Sequence, residues 1–127
     1  MNVIDHATQE SELWREGVRT HMRTSALTMT HQLCIFEQFC DPGLGAPIHI
    51  HAVEEVLEVI EGTAEIVLGD ESHIVTPNQS VVVPAGMRHG FTNVGEGILK
   101  VRATLAAAIF EAGYDDRRES SRRYSPP

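Results

Sequence analysis

The sequence predicts an all-β fold, a sandwich or barrel of short strands. Three observations carry this. From Val18 onward, apolar and β-branched residues come in short runs. Turn residues separate these runs at regular intervals. No segment has the 3.6-residue apolar period of a long helix. At 127 residues the chain is expected to be one domain, large enough to bury a core.

The elements follow in order. Residues 1–13 read as a loosely tethered arm. Strands are predicted over 18–26, 32–39, 48–51, 56–60, 64–68, 72–75, 80–83, 89–93 and 98–105. The breaks between them are Asp41-Pro42-Gly43, Glu61-Gly62, Gly69-Asp70, Thr76-Pro77-Asn78, Pro84-Ala85-Gly86 and Gly95-Glu96-Gly97. Each holds Gly, Pro, Asn or Asp, which supply the backbone angles of tight turns. Residues 105–112 could form a turn or two of helix or continue the last strand. The barrel is expected to span 14–112. Residues 113–127 read as a polar, mobile tail, in which Arg117, Arg118, Arg122 and Arg123 alternate with acids and serines.

Composition excludes several functions. The net charge of -8 argues against nucleic acid and against anionic membrane surfaces, since both need clustered Lys and Arg. The longest apolar run, 105–110, is too short to span a bilayer. The first residues lack a basic stretch followed by an apolar one, so the expected location is cytoplasmic. Cys34 and Cys40 are the only cysteines. On one strand they would sit roughly 20 Å apart, too far for a disulfide. They are expected to be reduced and partly buried.

The chemistry lies in His49, His51, Glu55 and His89. Three imidazoles and a carboxylate form a ligand set that transition metals use. The first three share parity within seven residues, so an extended stretch sends them to one face. Glu54 and Glu58 have the opposite parity and should point away. His89 follows the Pro84-Ala85-Gly86 turn, as a ligand from a neighbouring strand would. Phe91 and Asn93 share the parity of His89 and are expected to line the same cavity. His6, His21, His31 and His73 lack such partners and read as surface residues. Arg19, His21 and Arg23 are expected on a solvated outer face, with Val18, Thr20 and Met22 facing the core. In the next strand parity separates Gln38 from Glu37 without telling which faces the site. Gln38 is a pocket candidate and Glu37 a possible supporting group. Trp14 is expected to pack into the core over a barrel end.

At these residues the chain resembles the cupin family. The first cupin motif, G-x5-H-x-H-x3-E-x6-G, is matched by Gly43, His49, His51, Glu55 and Gly62. The second, G-x5-P-x-G-x2-H-x3-N, is matched by Pro84, Gly86, His89 and Asn93, with Asn78 at the leading glycine position. Asn tolerates left-handed backbone better than most residues. The stretch between the motifs, 63–77, is typical of small bacterial single-domain cupins. The resemblance implies a jelly-roll barrel, a double-stranded β-helix. It would hold one divalent transition metal (iron, manganese, nickel, copper, cobalt or zinc) on His49, His51, Glu55 and His89. It also implies a homodimer. Glu55 could move a proton when off the metal.

A fold shared by many proteins does not name a reaction. The expected function is a metal-dependent enzyme acting on a small oxygenated organic molecule. Dioxygenase-like, isomerase, lyase and cyclase chemistry all suit the ligands. The alternatives are a non-catalytic module binding a small ligand and a structural metal site.

Overall fold

The computed structural model describes residues 1–115, 120–124 and 126. Among these residues the chain forms β1 (Glu12–Arg15), β2 (Val18–Thr24), β3 (Cys34–Cys40), β4 (Gly45–Ile50), β5 (Glu55–Glu61) and β6 (Ala64–Leu68). It continues with β7 (Glu71–Val75), β8 (Ser80–Val83), β9 (His89–Asn93), β10 (Leu99–Leu105), β11 (Phe110–Tyr114) and β12 (Ser120–Arg123). The strands make two six-stranded sheets, ordered β1-β2-β3-β10-β5-β8 and β12-β11-β4-β9-β6-β7. Every pairing is antiparallel. This is the jelly-roll expected from the sequence. No helix among the described residues is long and apolar enough to cross a membrane.

The core lies between the sheets. In β10, Leu99, Val101, Ala103 and Leu105 are buried and alternate with partly exposed Lys100, Arg102 and Thr104. Leu57 and Val59 of β5 and Cys34, Phe36 and Cys40 of β3 meet them. Each fully buried Leu or Val contributes roughly 1.5–3 kcal/mol, so this layer drives closure of the barrel. The turns adopt the backbone their residues favour. Asn78 has φ +70, so it takes the left-handed form that a leading glycine would supply. Gly86 has φ +77 within a turn closed by Met87 N–H donating to Pro84 O at 3.2 Å.

Several boundaries differ from the sequence reading. The strand predicted over 18–26 stops at Thr24, because Ser25 caps a single 3-10 turn, Ala26–Thr28, through a reciprocal capping box with Thr28. The strand predicted from 48 starts at Gly45, where Gly45 and Ala46 pair with Thr92 and Phe91. Residues 106–109 bend, and Phe110 starts a new strand in the other sheet instead of extending β10. The arm expected through residue 13 enters β1 at Glu12. The stretch expected to be a polar tail carries the end of β11 and all of β12, which pair with each other. Composition hid β12, since Ser-Ser-Arg-Arg has no apolar alternation. Arg117 and Arg118 of that tail lie outside the described residues.

Candidate metal centre

Three strands and one turn assemble the site. His49 sits on β4 just after a bulge: Ala46 pairs with Phe91 and His49 with His89, so β4 spends one residue more than β9 over that interval. The bulge aims His49 inward beside His89. His51 follows the end of β4, and its carbonyl accepts from Gly86 N–H at 2.8 Å. The Pro84–Gly86 turn therefore fixes His51 and also leads into His89. Glu55 opens β5. All four side chains are buried, with exposures of 5, 2, 2 and 0% in sequence order.

The far nitrogen of each imidazole sets its tautomer. Nδ1–H of His49 donates to Pro47 O at 2.7 Å, that of His51 to Glu111 O at 2.7 Å, and that of His89 to Met87 O at 2.9 Å. A carbonyl only accepts, so Nδ1 carries hydrogen in all three rings. In the neutral imidazoles every Nε2 lone pair then points into the cluster. His49 Nε2 lies 3.1 Å from His51 Nε2, and His89 Nε2 lies 2.8 Å from Glu55 Oε1. His51 Nε2 is 3.3 Å from Glu55 Oε2. One donor atom from each of the four residues lies within 4.8 Å of the others. Facing lone pairs need a cation among them, either a proton on an Nε2 or a metal ion, and the donor set fits a divalent metal.

The electrostatics agree. Burial opposes charge on Glu55, but hydrogen bonds from His51 and His89 and their attraction outweigh it, holding its carboxyl down at about 2. It is ionised at any physiological pH, as a ligand must be. Burial, with His89 and His51 close by, pushes His49 down to about 4. Burial also opposes charge on His51, but the Glu55 carboxylate reverses this and raises it.

Beside the ligands is a small void of about 10 Å³, room for about one water. Phe36, Leu57, Phe91, Phe110 and Trp14 give it apolar walls, and Gln38 brings an amide. Phe91 and Gln38, both pocket candidates, line this void. The β3 alternation turns Gln38 inward, where its Nε2 donates to Thr20 Oγ1 at 3.2 Å, and Glu37 outward. On that outer face Glu37 accepts from Arg23 and Arg102.

Asn93 is a correction. It is buried but does not line this void. Its Nδ2 donates to Cys40 O at 3.0 Å and Gly97 O at 2.8 Å, and its Oδ1 accepts from Gly95 N–H. Parity fixes the face of a strand but not the depth, and four residues carry Asn93 roughly 13 Å past His89.

Sequence reasoning missed β11. Glu111 supplies the carbonyl that orients His51. The Phe110 ring lies 5.4 Å from His51, and the Tyr114 ring lies 5.4 Å from His49. The alternation of Phe110, Ala112 and Tyr114, all buried, is the period-two signal that could have found it.

The family model for the cupin domain matches residues 36–106, more than half of the chain. The chain belongs to the cupin family. Among curated relatives, this cupin is 32% identical over 82 residues to mannose-1-phosphate guanylyltransferase 2 of Escherichia coli O157:H7. That match takes in 65% of this chain but only 16% of the enzyme's length. It is 36% identical over 77 residues to auxin-binding protein 5 of Zea mays, covering 60% of this chain and 51% of the relative. Among solved structures it superposes on the polyketide cyclase RemF from Streptomyces resistomycificus with TM-score 0.72 at 20% identity, over 83% of this chain and 78% of that one. It superposes on oxalate decarboxylase from Lactobacillus farciminis with TM-score 0.79 at 14% identity, over 87% and 34%. At these identities the structures show the fold alone.

Proposed function

We propose that this cupin is a metal-dependent enzyme acting on a small oxygenated organic molecule. The observation that carries the reading is the convergence of three Nε2 atoms and the Glu55 carboxylate on one buried point, with every Nδ1 committed to a backbone carbonyl. A metal held there supplies a Lewis acid or a redox centre, and four protein ligands leave positions open on an ion that takes five or six. His49, His51 and His89 would hold it. Glu55 would hold it too, and would move a proton only when released from it. Phe36, Phe91 and Phe110 would exclude water and pack against an apolar substrate, and Gln38 would hydrogen-bond its oxygen. Dioxygenase-like, isomerase, lyase and cyclase reactions all fit this arrangement.

The void of about 10 Å³ favours a second reading, a structural metal that only stabilises the barrel. A homodimer belongs to the proposal as well. Exposed Val82 on edge strand β8 and exposed Ile74 on edge strand β7 are apolar surfaces that pairing would cover.

The test is the metal content of protein purified without chelator or histidine tag, beside His49→Ala and His89→Ala. About one iron, manganese, nickel or copper per chain, lost in both variants, supports the enzyme reading. Stoichiometric four-coordinate zinc supports the structural one. Wild type without metal, and no more stable than the variants, overturns both.

A further inference from the structure

The void beside the ligands touches β1, β3, β4, β5, β9, β10 and β11, but no residue of β6, β7 or β8. A second water-sized void adjoins it. The two share Trp14, Phe36, Gln38 and Phe110, and the second ends at Arg123 and Tyr124. A line of space therefore runs from His49 and Glu55 toward one side of the barrel. On that side the edge of the first sheet is β1 and the edge of the second is β12. Among the described residues no backbone ladder joins these edges. Side chains close the seam.

Those side chains form a latch. Tyr124 O–H donates to Glu12 Oε2 at 2.8 Å, and Arg123 pairs with the same carboxylate. Glu12 is 48% exposed, so water screens this pair and it holds only weakly. Tyr124 sits at φ +61, a strained backbone for a bulky residue and one that clamps and switches often use.

Trp14 stands behind the latch. Glu12 pairs with Thr20 and Leu13 with Arg19, but Arg15 pairs with Val18, so Trp14 is the extra residue of a β-bulge. A bulge re-aims a side chain at little cost to the strand. Here the indole packs 6.5 Å from Phe110 and 5.8 Å from Tyr114, the rings that contact His51 and His49. With Trp14 in place the chamber holds no organic molecule.

We propose that the seam between β1 and β12 is the entrance to the metal chamber, with Trp14 as its door and Glu12, Arg123 and Tyr124 as its latch. This rests on the reading that a metal meets a small organic molecule in that chamber. The ligand class that follows is a small, mainly apolar molecule with one oxygen-bearing end, which takes the space the indole vacates.

Trp14 is the chain's one tryptophan, so its fluorescence reports the door alone. The test compares wild type, Glu12→Gln, Tyr124→Phe and, as a control, Glu65→Gln on distant β6, all loaded with Co²⁺. Two rates of access are read: acrylamide quenching of Trp14, and stripping of Co²⁺ by pyridine-2,6-dicarboxylate. Losing the latch should raise both by about twofold to fivefold, the range of an exposed ion pair, with the control unchanged. Unchanged quenching and stripping in both latch variants overturn the proposal. Faster quenching with unchanged stripping overturns the seam as entrance. Faster stripping with unchanged quenching overturns Trp14 as the door. Should wild type take up no Co²⁺, the metal reading itself falls, and quenching alone then decides whether the seam opens.

Discussion

Glu37→Gln separates the two faces of β3. Glu37 is buried, 4% exposed, on the outer face of the first sheet. It accepts from Arg23 Nε at 2.6 Å and Arg102 Nη2 at 3.1 Å, with Lys100 Nζ at 3.6 Å. Burial opposes its charge, but the bonds from Arg23 and Arg102 and the pull of the cations outweigh that and lower its carboxyl below the usual value. A glutamine keeps one acceptor but turns an amide N–H₂ toward a guanidinium. Charged hydrogen bonds contribute about 1.5–3 kcal/mol each where fully buried. Arg102 is 41% exposed, so water screens its share, and the expected loss is about 1–2 kcal/mol in all. At roughly 3–5 °C per kcal/mol for a chain of this size, Tm should fall by about 3–10 °C at pH 7.

The dependence on pH has a definite sign. A carboxyl whose folded pKa is lowered stabilises fully above its unfolded value, near 4.5, and loses that contribution as pH falls through the folded value. The gap between wild type and Glu37→Gln should therefore be widest at pH 6–7, narrow as pH falls below about 4.5 and close once the folded carboxyl protonates. Urea melts across this range measure it, with metal content read alongside. A gap that stays constant to low pH would refute the ionic account. A variant that loses its metal would refute the outward placement of Glu37.

Other expectations follow from the site and its supports. Chelation should lower the Tm of metal-loaded wild type, by about 2.7 kcal/mol of stability at a hundredfold excess of metal over Kd, and should leave His89→Ala unmoved in differential scanning fluorimetry. Asn93→Ala should cost about 2–4 kcal/mol in a denaturant melt, because the Cys40 and Gly97 carbonyls lose a buried donor, while metal content stays at the wild-type value. Burial pushes the Cys34 and Cys40 thiols up to about 12. Neither should react with a disulfide reagent at pH 8 in the native protein, and both should react in guanidinium.

The ligands were legible because their information is local. Parity brings His49 and His51 to one face, and the Pro84-Ala85-Gly86 turn both pins His51 and delivers His89. Asn78 and Gly86 announced their left-handed turns by residue type. The central strands were legible because one face of each is apolar, as in Leu99, Val101, Ala103 and Leu105. Asn93 was misplaced because parity carries no depth. Glu37 and Gln38 stayed ambiguous because the Asp41-Pro42-Gly43 turn breaks the register between β3 and β4. Only their partners, the arginines outside and Thr20 inside, resolve them.

What escaped the sequence has a common location. β1 has four residues with a bulge at Trp14, β12 is Ser-Ser-Arg-Arg, and β11 carries its apolar signal in three residues. All three lie along the seam that closes the chamber. Their partners are remote: Tyr124 and Glu12 are 112 residues apart, and His51 and Glu111 are 60 apart. Such contacts leave no period in the sequence. A chain can vary them without disturbing the ligands, since none of Glu12, Trp14, Arg123 and Tyr124 belongs to the cluster. Metal binding is thus written in short motifs, and the access we propose in the meeting of β1 with β12. Substrate choice should follow the second, because the ligands fix what the ion can do and the seam fixes what can reach it.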